Sequence, residues 1–277
     1  LARFRVTLEY EGTRYSGWQI QRNARTVQGE IAAALAELFG SEDVQFMGSG
    51  RTDAGVHALA QVAHLDVDTM LAPEIIRMKV NDLLPPDINI IEVEKVRRAF
   101  HARHDAEARR YLYQISRRRT AFGKRYVWWV RDRLDLDAMR RTAAALTGFR
   151  DFRAFTDDDP EEKSTKVAIE ECTVADSGDL ILVRVTGSHF LWKLVRRMVG
   201  VLVESGRGRI VAAQLPGLLA GDGAAAARAT APPSGLFLER VFYPGESRSA
   251  DLLPAFPVPR ARDNAPLSHS HRTRHAR

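Results

Sequence analysis

Cysteine is almost missing from this chain of 277 residues; Cys172 is the only one. A lone thiol closes no disulfide within the chain and builds no zinc site of paired cysteines. Cys172 lies in the alternating run KVAIEECTVA, where it reads as a small apolar core residue. Lysine is scarce too, with six against 35 arginines. No run reaches the roughly 18 apolar residues that a membrane-crossing helix needs. The first twenty residues alternate charge and aromatics where a secretory leader would carry an unbroken apolar stretch. These features predict a cytoplasmic protein with no membrane partner. The remainder is 45% hydrophobic, enough to bury the core of one large domain or two ordinary ones.

The charge that is present is uneven. The formal net charge is +6, and residues 245–277 hold six arginines against Glu246, Asp251 and Asp263. A second basic block runs from 97 to 125, with ten lysines and arginines against Asp105 and Glu107. Arginine suits planar, bidentate contact with phosphate, so this block is a candidate groove for a polyanion. A GC-rich coding sequence also yields excess arginine, and charge alone leaves both readings open.

Apolar periodicity predicts one order of elements twice. ARFRVTLEY reads as a strand, and RTVQGEIAAALAELFG as a helix with Val27, Ile31, Leu35 and Leu38 on one face and Gly40 closing it. A short strand near VQFM follows, then a glycine-rich stretch, the strand QVAHLDV, a helix over PEIIRMKVNDLL and the strand INIIEVEKV. The second half runs RRYLYQIS, a helix over LDLDAMRRTAAALTG, the strands KVAIEECTVA and DLILVRVTG, a helix over FLWKLVRRMVGVLVESG and the strand GLFLERVFY. Each order is βαββαβ. The predicted class is α+β, two ferredoxin-like halves over 1–105 and 106–244 around a mostly antiparallel sheet. From 245 to 277 periodicity is lost among Pro, Ser, His and Arg, which predicts a disordered tail. His269, His271 and His275 in that tail read as solvated residues before they read as metal ligands.

The glycine-rich stretch GSGRTDAGVHA separates the first half from a plain repeat, because the matching place in the second half is the tight turn at Asp176, Ser177, Gly178 and Asp179. Loops carried by a rigid sheet commonly carry chemistry. Asp53 is then a nucleophile or a lone base, or else it merely caps a turn, and spacing alone leaves these open. The pair Asp53-Ala54-Gly55 and Asp176-Ser177-Gly178 imitates an aspartic protease dyad, but Ala54 lacks the hydroxyl and the helices do not suit that mostly β architecture. Asp53, His57 and His64 have no recognised metal-ligand spacing, and His64, on the polar face of its strand, is expected at the surface.

GRTDAGVHA resembles the signature of the tRNA pseudouridine synthase A family. Further matches occur in the family's order: YSGWQIQ at 15–21, NDLLPPDI at 81–88, FHARHDAEARRYLY at 100–113, DFRAF at 151–155, FLWKLVRRMVG at 190–200 and GLFLERVFYP at 235–244. The resemblance covers about residues 3–244 and implies a pseudouridine synthase-type fold. It implies that Asp53 is the catalytic nucleophile, that Tyr111 lies against the target uracil, that Arg196 pairs with Asp53 and that Arg51 helps to position the flipped nucleotide. It implies an isomerase that needs no cofactor and no metal. The implied partners are the anticodon arm of tRNA, modified at positions 38, 39 and 40, and a second copy of the chain. Two alternatives stand beside it: a synthase acting at another tRNA position, and a non-catalytic RNA-binding module, although the strands show no RNP-type aromatic pattern. The run Asp157-Asp158-Asp159-Pro160-Glu161-Glu162 departs from what a surface beside RNA should carry, so it either points away from substrate or has a local role.

Overall fold

A computed structural model describes residues 1–41 and 43–258. In chain order the elements of the first half are β1 (Ala2–Tyr10), α1 (Val27–Phe39), β2 (Gln45–Gly48), β3 (His57–Val67), α2 (Pro73–Leu83) and β4 (Ile88–Val96). The second half contributes β5 (Ala108–Ser116), β6 (Trp128–Trp129), α3 (Leu136–Leu146), β7 (Gly148–Asp151), β8 (Lys166–Ser177), β9 (Leu180–Gly187), α4 (Leu194–Gly206), α5 (Leu215–Ala220), α6 (Ala224–Arg228) and β10 (Leu236–Phe242). All ten strands join one sheet in the order β4-β1-β3-β10-β5-β9-β8-β7, with β2 on β3 and β6 on β5. Pairing is antiparallel except between β3 and β10 and between β5 and β6.

Capping residues explain where several helices begin and end, and Gly40 closes α1 as its sequence predicts. Thr26 accepts the Gly29 N–H at 3.2 Å at the head of α1, and Gly40 ends that helix with φ 63°. Asp135 caps α3 by accepting from the N–H groups of Asp137 and Ala138. The helix predicted from residue 190 starts only at Leu194, because Lys193 takes a left-handed backbone with φ 62° and ψ 0°. The edge strand β7 and the short α5 and α6 were not legible, since GFRD is wholly exposed and shows no alternation. Leu8, Ile31 and Leu65 are buried beneath the helices of the first half, and burying each contributes roughly 1.5–3 kcal/mol. Leu112, Leu182 and Phe237 form a separate cluster on the other face of the sheet.

Register places the functional loop. Residues 63–66 of β3 pair with β2, whereas His57 and Ala58 at its start pair in parallel with Phe237 and Leu238 of β10. One edge of β3 therefore passes from a strand of its own half to a strand of the other. The glycine-rich loop between β2 and β3 sits at that seam.

Two expectations are corrected. His64 is buried, 4% exposed, and its Nδ1 accepts the Ala102 N–H at 3.2 Å. The linker between the halves folds over it, so a strand position that looks polar is covered from outside. Nor is the predicted tail disordered over 245–258. Arg110 donates to the Arg248 carbonyl at 2.6 Å, Arg184 to Ala250 O at 2.9 Å, and Gln114 exchanges two hydrogen bonds with the Phe256 backbone. Buried Arg110, Arg184 and Gln114 need partners, and the carbonyls of this proline-rich segment supply them. Contacts made through backbone leave no side-chain period to read. Residues 259–277, with His269, His271 and His275, lie outside the described residues.

Candidate active site

Backbone bonds from the first half hold the Asp53 loop. The Trp18 N–H donates to Thr52 O at 3.1 Å, the Gly55 N–H to Tyr15 O at 3.3 Å and the Val56 N–H to Asp53 O at 3.1 Å. Tyr10 and Thr52 share a buried hydroxyl hydrogen bond of 2.8 Å. Gly55 is required at φ 78°, and a Cβ on Gly48 would stand 2.6 Å from the Trp18 ring, which packs under the start of the loop. Asp53, partly exposed, is thus carried by a rigid frame.

The other half supplies its partner. Arg196, in the first turns of α4, donates from Nη1 to Asp53 Oδ2 at 3.2 Å and from Nε to Ala231 O at 2.8 Å. Asp53 Oδ1 has no hydrogen bond among the described residues, and the side chain is 26% exposed. Tyr111 is buried on β5, and Phe190 meets its ring edge-on at 4.9 Å. Burial pushes its hydroxyl up to about 12, with nearby Arg109 lowering it and Asp53 raising it. Arg51 is exposed and makes no ion pair or side-chain hydrogen bond among the described residues. Its guanidinium is free for a ligand. The structure therefore brings Asp53, Arg196 and Tyr111 to one seam, with Arg51 on the same loop.

His57 goes elsewhere. Its Nδ1 accepts the Gly12 N–H at 2.9 Å, its Nε2 faces Arg125 O at 2.9 Å, and its ring stacks on Phe237 at 4.8 Å. Burial lowers its pKa and keeps the imidazole neutral, as acceptance at Nδ1 requires. The residue clamps the seam from the face opposite Tyr111. A cavity of about 250 Å³ opens on that face beside Glu9, Glu11 and Asp87. Those carboxylates would repel a phosphate backbone.

Arg109 is the residue that sequence reasoning missed. It reaches four carbonyls: Ser49 at 3.0 Å, Ser188 at 3.0 Å, Arg103 at 2.8 Å and Ala106 at 3.1 Å. Ser49 begins the Asp53 loop and Ser188 begins the turn that carries Phe190, so one guanidinium ties the two sides of the site together. Burial lowers its pKa, and no carboxylate offsets its charge. Its place in the arginine block hid it. That block forms no single groove, because Arg110 turns to the opposite face and Arg117 pairs with Asp176. Arg97, Arg98 and Arg103 remain exposed.

Comparison with known proteins then decides the family. A family described as tRNA pseudouridine synthase matches residues 7–105 and 142–244. The chain is 42% identical over 246 residues to tRNA pseudouridine synthase A of Myxococcus xanthus, covering 88% of this chain and 92% of the relative. The chain belongs to the tRNA pseudouridine synthase A family. It is also 41% identical to the enzyme of that name from Moorella thermoacetica, over 86% of this chain and 98% of that one. Against the Geobacter sulfurreducens family member identity is 39%, with the same two coverages. Asp53 and Arg51 lie in the first matched segment and Arg196 in the second, whereas Arg109 and Tyr111 fall between the two.

Proposed function

We infer that this chain isomerises uridine in tRNA to pseudouridine, with Asp53 as the nucleophile. Family membership supports the isomerase activity and the tRNA substrate. The observation that carries the residue assignment is the Asp53–Arg196 pair, which leaves Oδ1 without a hydrogen bond among the described residues. The bond from uracil N1 to the ribose breaks, the ring turns, and a bond forms from C5 to the same ribose carbon. C5 loses a proton and N1 gains one, so the product is an isomer and no external reactant is consumed. A carboxylate serves this reaction by attacking either the ribose or the uracil ring. Arg196 orients the carboxylate through Oδ2. Tyr111 supports the uracil, which must leave its stack to reach Asp53, and Arg51 holds the phosphate side of the flipped nucleotide.

The target is the anticodon arm at positions 38, 39 and 40, in a cytoplasmic homodimer. The strand orders β4-β1-β3-β2 and β10-β5-β9-β8 support two ferredoxin-like halves, 1–105 and 106–244. The test is incubation of purified protein alone with unmodified tRNA transcript, followed by mapping of pseudouridine. Modification at 38–40 that is lost in Asp53→Asn supports the whole reading. Modification elsewhere moves the target, and tight binding without isomerisation by the wild-type chain leaves only an RNA-binding module.

A further inference from the structure

The acidic run 157–162 and the strained turn before α4 meet at one place. Lys193 is the only non-glycine residue with positive φ among the described residues. Such an outlier persists only where its surroundings hold it, and it commonly marks a ligand clamp. Here Asp157 holds it, accepting from Lys193 Nζ at 2.7 Å and from buried Arg197. Asp158 accepts the Trp192 N–H at 2.8 Å and the Lys163 ammonium at 3.0 Å. Both carboxylates are thus paired with cations, whereas Asp159, Glu161 and Glu162 of the same run are exposed and make no ion pair among the described residues.

What this bracing presents is Trp192. Its side chain is 49% exposed, an unusual position for the largest apolar residue, and Lys193 Nζ lies 4.5 Å from its ring centroid. The ammonium covers one part of the ring, and the residue as a whole stays half-exposed. Two residues earlier Phe190 touches Tyr111, and four residues later Arg196 reaches Asp53. The turn from 190 to 196 therefore sends residues on both sides of Trp192 into the site.

We propose that Trp192, seated on Lys193 and braced by Asp157 and Asp158, is a stacking platform for an unpaired base of the RNA substrate that neighbours the flipped uridine. The proposal rests on the function inferred above. An exposed aromatic beside a fixed cation suits a nucleobase, since any base offers a π-face to the ring and the RNA backbone offers a phosphate to the cation. Stacking also gives a place for a base displaced when its neighbour leaves the helix.

The experiment measures tRNA affinity by filter binding at several salt concentrations for wild type, Trp192→Ala and Trp192→Phe, after thermal melting has shown each to be folded. Trp192→Ala should bind roughly tenfold or more weakly with an unchanged salt slope, and Trp192→Phe should stay within about threefold of wild type. Lys193→Met should flatten the salt slope by about one contact. Equal affinity of Trp192→Ala and wild type overturns the platform, as does an equal loss in the Ala and Phe variants. Wild-type protein that makes no pseudouridine overturns the function instead, and binding data read the two failures apart.

Discussion

Arg109 donates to the carbonyl of Ser49 at 3.0 Å, reaching from β5 to the loop that carries Asp53. The same guanidinium holds Ser188 at the foot of the turn carrying Phe190. One side chain thus ties the loop of Asp53 to the turn that packs on Tyr111. Arg109→Lys keeps the charge but loses the planar fork. We predict a single-turnover rate lower by about ten- to a hundredfold, because misplaced reacting groups cost that much, with tRNA affinity within about threefold. A proportional loss of affinity and no loss of rate would show that Arg109 serves RNA binding alone.

Asp53→Asn should leave the fold intact and abolish turnover, since the shape is kept and only the nucleophilic charge is lost. Quench-flow with excess enzyme checks it; residual rate above ~1% of wild type would place the nucleophile elsewhere. Arg196→Met, which retains the aliphatic stem, should fold and lose rate by about a hundredfold or more, as removal of one charged donor at a reacting centre typically does.

Removing residues 245–258 should destabilise the protein even though that segment lies away from Asp53. Arg110 and Arg184 would keep Glu171 and Glu239 but lose the carbonyls that now accept from them, and Leu112, Leu182 and Phe237 would lose cover. Losing hydrogen bonds from two charged donors, about 1.5–3 kcal/mol each, together with apolar cover costs ~3 kcal/mol or more. Compared with a chain ending at 258, one ending at 244 should melt roughly 6 °C lower or more. Equal melting temperatures would mean that the segment covers nothing of consequence.

His64 makes stability depend on pH. Burial first, then the charges of Arg3 and His101, lower its pKa to about 4, against the opposing pull of Asp66 and Asp105. The unfolded chain, with an ordinary histidine near 6.5, binds the proton more readily, so stability falls as pH drops from about 6.5 towards 4 and levels below that. His64→Asn offers an acceptor near the Nδ1 position without this proton. The melting temperature of the Asn variant should fall less than that of wild type between pH 7.5 and pH 5. An equal fall in both would assign the pH response to other groups.

The local parts of this protein were decided by its sequence. Caps at Thr26, Asp135 and Gly40, alternation in the long strands and the specialised loop at Asp53 are written in neighbouring residues, because each depends on spacing along a single element. Tertiary structure decided the rest. Arg109 and Arg110 are adjacent and chemically identical, yet the pleat sends one to the catalytic seam and the other to the back of the sheet. His64 looked exposed until the linker covered it, and Asp157 and Asp158 looked like free surface charge until Lys163, Lys193 and Arg197 came to meet them. Residues 245–258 have no period because their backbone, and not their side chains, satisfies buried groups far away in the chain. A side chain's type is local, but its partner is chosen by strand register and by which half folds over it, and neither is set within a short window of residues.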